Sequence, residues 1–178
     1  YSNGKGSLEE RCRVVIGADG RNSLVARSVK APVYEEKPVI TCLYYTYFSG
    51  VPMKELSLLL LDHQGMAMVP THDDQVCIPQ SWPIEQFKTI RSDIEGNYMR
   101  SFKKSTLLSE LMANAKREDK FYGMTDLPNF FRKPYGPGWA LVGDAAHHKD
   151  PIAGQGIMDA FISAELVVDA LHRAFGLA

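Results

Sequence analysis

Two short apolar runs, more than a hundred residues apart, end in the same way: "VVIGADG" at residues 14–20 and "ALVGDAA" at residues 140–146. Each reads as a buried strand that closes on glycine and an acid, and each is followed by a helical pattern. After the first comes a turn and then "SLVARSV", with Ser23 placed as its cap. After the second, Ile157, Phe161, Ala164, Val168 and Leu171 recur on one face of a long helix whose polar side pairs Asp169 with Arg173. Strand–turn–helix units are the parts of an α/β sheet, so two of them this far apart are expected to lie side by side in one parallel sheet. Whatever lies between must then form a second layer or domain.

That intervening stretch has a different texture. "PVITCLYYTYFSG" alternates aromatic and small residues with period two, "LSLLLLDHQGMAMVP" is two apolar runs around a D-H-Q-G turn, and "THDDQVCIPQSW" adds another turn and strand. These predict an antiparallel sheet. Residues 84–118 then read as two helices, one carrying Ile84, Phe87, Ile90, Ile94 and Tyr98 and the next Leu107, Leu108, Leu111 and Met112 on apolar faces. The pairs Lys103-Lys104 and Lys116-Arg117 read as solvated helix ends. The fold class is therefore α/β, α+β overall, with residues 1–30 and 135–178 in one domain and residues 31–134 inserted as another.

Composition narrows the partners. A formal net charge of −1, with 23% charged residues, gives no electrostatic case for nucleic acid or an acidic membrane surface. No apolar run has the roughly 18 residues a membrane helix requires, so stable membrane insertion is not expected. Cys12, Cys42 and Cys77 each lie in a strand-like apolar run and read as buried free thiols of a reducing compartment, which places the protein in the cytoplasm. The opening "YSNGKGSLEE" reads as a hairpin arm around an N-G-K-G turn, entered partway along a longer chain.

The densest chemistry lies in "GWALVGDAAHHKDPIAGQGIMDAF", residues 138–161. As a metal site it offers Asp144, His147, His148 and Asp150, but adjacent histidines diverge and no distant His-x-x-His or Glu-x-x-His completes a shell. The histidines are expected to be loop residues bonded to backbone. As a phosphate or nucleotide cradle it fits better. Gly154, Gln155 and Gly156 directly precede the long helix, whose free N–H groups and positive dipole end face across the turn. Asp144, at the end of its strand, suits sugar hydroxyls, and Pro151 stiffens the crossing between acid and helix. Taken alone, "GQG" is equally a strand-to-helix turn that binds nothing.

The two motifs together, with the sheet between them, resemble the FAD-dependent monooxygenases of the para-hydroxybenzoate hydroxylase type. Asp19, Gly20, Ser23 and Arg27 match that family's D-G motif. Gly143, Asp144, Ala145, Ala146, His147, Pro151, Gly154, Gln155 and Gly156 match its G-D motif. The resemblance implies part of a Rossmann-like FAD-binding domain with an inserted antiparallel-sheet substrate domain. It assigns Asp144 to ribityl and ribose hydroxyls of FAD, puts Pro151 beside the isoalloxazine ring, and brings Gly154, Gln155, Gly156 and Ile157 to its pyrimidine side. Asp19, Gly20 and Arg27 would support the FAD site, with Asp19 and Gly20 also serving the nicotinamide nucleotide. Tyr45, Tyr47 and Trp82 are candidates to line the substrate site. The implied reaction uses FAD, NAD(P)H as co-substrate and molecular oxygen to hydroxylate an aromatic or other apolar small molecule through a flavin C4a-hydroperoxide. No protein nucleophile or metal is implied, and no particular catalytic residue is assigned.

Two departures from the family pattern matter. Met158 stands where the family usually has Asn, and no G-x-G-x-x-G turn between strand and helix is present to hold the FAD pyrophosphate. A second chain supplying that unit is one expectation, and a non-catalytic fragment is the rival from another class. Within flavoproteins, isoprenoid double-bond reductases and halogenases share the layout. "QSWPIE" falls short of the halogenase Trp-x-Trp-x-Ile-Pro segment.

Overall fold

A computed structural model of the chain describes residues 9–151 and 154–176. The strand β1 (Val15–Gly17) runs parallel to Trp139–Leu141, with Val15 opposite Trp139 and Gly17 opposite Leu141. The two distant strand–turn units thus share one sheet. β1 covers only part of the apolar run that begins at Val14, because its partner offers only three residues. Cys12 therefore precedes the strand and is exposed, contrary to its reading as a buried thiol. The helix α1 (Leu24–Ser28) follows, capped by Ser23, whose hydroxyl accepts from the Ala26 amide at 2.9 Å. The expected hairpin arm around "NGKG" lies outside the described residues. Beyond α1 comes β2 (Val33–Lys37).

Residues Pro38–Leu127 form one of two compact units. Its strands are β3 (Thr41–Tyr45), β4 (Tyr47–Ser49), β5 (Ser57–Leu61), β6 (Gln64–Pro70), β7 (Val76–Cys77) and β8 (Gln80–Pro83). Every pairing among them is antiparallel. The period-two pattern is realised residue by residue: Cys42, Tyr44, Thr46 and Phe48 are buried, while Leu43, Tyr45 and Tyr47 face the other way. Helices α2 (Phe87–Ser92), α3 (Ile94–Phe102) and α4 (Thr106–Leu111) cover the buried face, three where the pattern predicted two. Asp93 makes the extra break: its backbone is non-helical and its carboxylate accepts from the Gly96 amide, ending one helix and capping the next. In α4, Leu108 is buried but Leu107 is 60% exposed, so the apolar stripe is narrower than expected. Two short strands complete the sheet, β9 (Lys116–Arg117) on β4 and β10 (Tyr122–Met124) on β3. Lys116 and Arg117 are thus strand residues rather than a helix end.

Tyr98 is the hub of this core. It stacks on Phe48, meets Phe102 edge-on and tilts against Trp82 and Phe121, and its hydroxyl donates to the Ile78 carbonyl. A buried polar set is fully bonded beside it: the Gln64 amide donates to Gln80 Oε1 at 2.9 Å and to the Ser101 hydroxyl at 2.7 Å. Lys104 reaches the Gln64 carbonyl from outside at 3.2 Å. Satisfied polar groups of this kind fix sheet register without the desolvation penalty of a lone amide.

The chain then re-enters the other unit through β11 (Asn129–Arg132), β12 (Tyr135–Gly136), β13 (Trp139–Leu141) and β14 (His147–His148), and ends in α5 (Gly156–Phe175). This unit comprises the chain up to Lys37 and from Pro128 onward, so residues 31–37 and 128–134, read from sequence as insertion, belong to it. The reason is a second small sheet in which β11 pairs antiparallel with both β2 and β14. Its core is slight, Ala26, Leu141, Ala145 and Ala146 with Val25, Ala31 and Trp139 against them. At its start the face α5 turns toward the unit is made of small residues, with Ala160 beside Gly143 and Ser163 bonded to it, and further along Val167 and Leu171 are half-buried on the same side. Ile157 and Phe161, expected on that face, are 77% and 71% exposed.

Candidate functional site

The parallel register of β1 and β13 brings the turns after both strands to the same end of one sheet, where open α/β sheets bind ligands. A cleft of about 410 Å³ opens there. Ala18 and Gly20 line it from the first turn, Gly143 and Asp144 from the second, and Gly156, Ile157 and Ala160 from the start of α5. Both sequence motifs therefore contribute to one cavity.

The chain after β13 turns sharply. Gly143 has φ +55°, donates its amide to the Ser163 hydroxyl at 2.9 Å, and sits so close to α5 that an added Cβ would lie 3.2 Å from that of Ala160. Small residues at 143 and 160 thus let the helix approach the strand end. Asp144 is half-buried in the following 3₁₀ turn, and its carboxylate makes no hydrogen bond or ion pair with a described residue. Asp19 differs. Its Oδ2 accepts from the amides of Leu24 and Val25 at 2.7 and 3.2 Å, which ties it to the start of α1. Burial pulls its pKa upward, but hydrogen bonds from Ser23 and those backbone amides outweigh this and leave it below the ordinary carboxylate value. Gly20, at φ +75°, has open space beside its Cα, and so does Gly154, at φ +63°. Gly156 is open as well. A ligand can meet the backbone directly at all three.

Pro151 is exposed and its carbonyl accepts from the Gly154 amide at 2.8 Å. Gln155 and Ile157 are exposed beside the start of α5, with Gln155 bonded to Lys149 at 3.3 Å. Arg27 is exposed on α1 and donates to the Asn22 carbonyl. The two histidines are strand rather than loop residues: His147 stacks on Phe131 and His148 on Phe130, and His148 Nδ1 bonds the Pro128 carbonyl. No group of three or more His, Cys, Asp or Glu side chains placed to hold a metal ion occurs among the described residues. No helix among them is long and apolar enough to cross a membrane.

Several residues of this region carry no motif signal and emerge only from geometry. Arg132 donates through Nη1 to the Ala145 carbonyl at 2.8 Å and through its amide to that of Ala146, holding the turn from below. Burial, then the positive charge of Arg27, lowers its pKa. Ser163 and the ion pair of Lys149 with Asp159 likewise tie α5 to the turn. The spacing of Ser163 from Gly143 by twenty residues gives no local pattern to read.

In the other unit, Tyr45 stacks on Tyr122 with ring centroids 5.1 Å apart and meets Tyr47 edge-on at 6.1 Å, on the sheet face opposite the core. Trp82 is 4% exposed and belongs to the core. The three residues singled out together from sequence are thus divided between the two faces. Register extends the outer face across the sheet: Met124, Leu43, Ser81, Gly65 and Leu60 fall in one row, and Tyr122 with Tyr45, and Ala67 with Leu58, in the next. No charged residue occupies these positions.

Comparison with known proteins gives the family and the fold. The model of the FAD binding domain family matches residues 2–166, and the chain belongs to that family. Digeranylgeranylglycerophospholipid reductase 1 of Methanopyrus kandleri is 28% identical over 189 residues, covering 97% of this chain and 48% of its own. The chain thus spans about half the length of that curated relative. Among solved structures, PqsL of Pseudomonas aeruginosa, described as a probable FAD-dependent monooxygenase, superposes with a TM-score of 0.76 at 26% identity, over 92% of this chain and 46% of that one. The myxobacterial chondrochloren halogenase CndH shares the fold with a TM-score of 0.80 at 21% identity, over 92% of this chain and 40% of its own.

Proposed function

We propose that the protein is an FAD-dependent monooxygenase that consumes NAD(P)H and hydroxylates an aromatic or other apolar small molecule. The observation that carries the flavin part of this reading is the shared cleft, in which the D-G turn, the G-D turn and the start of α5 converge. Its residues fit FAD by their chemistry. The unspent Asp144 carboxylate accepts from ribityl and ribose hydroxyls, the open backbone at Gly154 and Gly156 lets a flat ring approach, and the helix N-terminus favours negative charge. FAD, when bound, supplies hydride acceptance from NAD(P)H and oxygen activation. The chain's own residues would bind and orient it: Asp144 would hold the polyol, Pro151, Gln155 and Ile157 would border the ring, and Gly20 would form the opposite rim, with Asp19 and Arg27 supporting its turn. The uncharged outer sheet face with Tyr45 and Tyr122 suits an apolar substrate. Charge comes only at its margin, where Lys120 Nζ lies 5.3 Å from the Tyr122 ring centroid and the Tyr122 hydroxyl donates to Asp119 at 2.8 Å.

β1 is a sheet edge among the described residues, and Val15 and Ile16 are 42% and 45% exposed. Parallel strands are normally covered on both faces. This supports further polypeptide beside β1, in the same protein or a second chain, as the source of the pyrophosphate-binding unit. A reductase is the second reading, favoured by the identity to the Methanopyrus kandleri enzyme along almost the whole chain. The test is FAD titration of the purified protein with absorption followed near ~450 nm, then substrate turnover with and without oxygen. Oxygen-dependent hydroxylation supports the monooxygenase. Anaerobic reduction of a substrate double bond selects the reductase. Absence of any FAD uptake by the protein together with its full complement of polypeptide removes both.

A further inference from the structure

Asp159 lies in the first turn of α5, where an acid is stabilised by the helix dipole but also cancels the positive end of that helix. In this protein the acid is itself countered. Lys149 Nζ lies 2.7 Å from Asp159 Oδ2, and His147 Nε2 lies 3.7 Å from the same oxygen, which is sealed from solvent. Lys149 also donates to Gln155 Oε1 at 3.3 Å, and the Asp159 amide bonds the Gln155 carbonyl at 2.9 Å. One ammonium therefore joins the end of β14 to both sides of the turn that opens α5. The His147 ring is fixed in turn by its stack on Phe131, with centroids 5.6 Å apart and planes within 4°. The close contact and charge of Lys149 hold the Asp159 pKa below the ordinary value against the opposing effect of burial.

We propose that the Lys149–Asp159 pair, braced by His147, is a positioning clamp: it presets the turn at Gly154–Gly156 and restores the helix's positive end by neutralising Asp159. Its role toward cofactor rests on the FAD reading above, in which that turn faces the flavin. The clamp is a partly shielded ion pair with two anchors on a glycine turn that has little conformational preference of its own. Losing the lysine leaves a bare carboxylate at the helix start, unfavourable to a reduced, anionic flavin.

The test compares Lys149→Met, Lys149→Arg and Asp159→Asn in the protein together with any polypeptide it needs to bind FAD. Hydrogen exchange at the Gly154 amide, bonded to Pro151, reads the turn without any cofactor. Lys149→Met is expected to speed that exchange about tenfold, weaken FAD binding about tenfold and move the midpoint potential of bound flavin to more negative values. Lys149→Arg restores all three to within about threefold. Unchanged Gly154 exchange in Lys149→Met overturns the clamp, whatever the flavin does. Faster exchange with unchanged FAD affinity and potential overturns its role toward cofactor. Should wild-type protein take up no FAD, the FAD reading falls and the exchange measurement alone decides the clamp. Should Asp159→Asn fail to fold, Lys149→Met, at the more exposed partner, carries the same decision.

Discussion

At Gly143 two constraints meet in one residue: a φ of +55° and a helix whose Ala160 lies 3.2 Å from where a Cβ would stand. Gly143→Ala should therefore cost about 1–3 kcal/mol, through left-handed strain and displacement of α5 together. Gly154, with φ +63° but open space, should lose only about 1–2 kcal/mol on the same change. Thermal unfolding of the two variants checks the order. Asp144→Ala removes a carboxylate that has no structural bond to a described residue, so FAD affinity should fall about tenfold or more with the melting temperature nearly unchanged, since a hydrogen bond to a charged group contributes about 1.5–3 kcal/mol. Equal flavin affinity in fluorescence titration would remove Asp144 from the site. Asp19 has the opposite profile. Its folded pKa lies below the unfolded one, so the stability it contributes is present above the unfolded value of about 3.9 and is lost as pH falls through the folded value. Wild type and Asp19→Asn should consequently converge in denaturant midpoint as the pH is lowered below about 4. A gap that persists in acid would show that the acid's charge is not what caps α1.

The elements themselves show which physics is legible in a chain. Period-two alternation over residues 41–48 predicted strands, and the structure divides its positions between two faces, because strand side chains have only two directions and one of them is core. α5 was legible as a helix but only partly in its orientation, since Ala164 and Leu171 of the expected face are half-buried while the residues at its start are not. Large apolar residues marked Ile157 and Phe161 as the inward face, whereas the close approach of Gly143 selects alanine and serine. The cleft was readable from two motifs of residue types with special backbone freedom. Its supports, Arg132, Lys149 and Ser163, were not, because ordinary polar side chains acquire meaning only through distant partners. Strand ends were also hidden, since β1 stops where β13 does. One consequence is chemical: Cys12, outside β1, should react quickly with a thiol reagent in the native protein, while burial raises the Cys42 and Cys77 pKa and slows both. Loss of the fast phase in Cys12→Ser checks this assignment.

Taken whole, the molecule has one well-filled unit and one thin one. The aromatic core around Tyr98 has no counterpart in the unit that carries the cleft, whose buried apolar residues are mostly alanine. A cavity of about 510 Å³ between its first sheet and α5, bordered by Leu141, Ala146 and Val167, adds to the deficit. Stability there should depend on ligand. FAD at a hundred times its Kd adds about 2.7 kcal/mol to whatever must be folded to bind it. Amide exchange should slow around residues 15–28 and 139–175 on adding FAD and stay unchanged across Pro38–Leu127. Slowing spread evenly over both units would mean that they unfold as one.

The pairing of β1 with β13 also sets a timetable. Gly17 is made 124 residues before its partner Leu141 (141 − 17), and at about 5–20 residues per second the ribosome needs on the order of 6–25 s to deliver that partner. All of Pro38–Leu127 emerges in the interval and can collapse on its own. For those seconds "VVIG" waits with the edge that β13 will take left open, an apolar strand short of one partner. Production of this protein should accordingly be sensitive to chaperone supply and to elongation rate, more than its final fold would indicate.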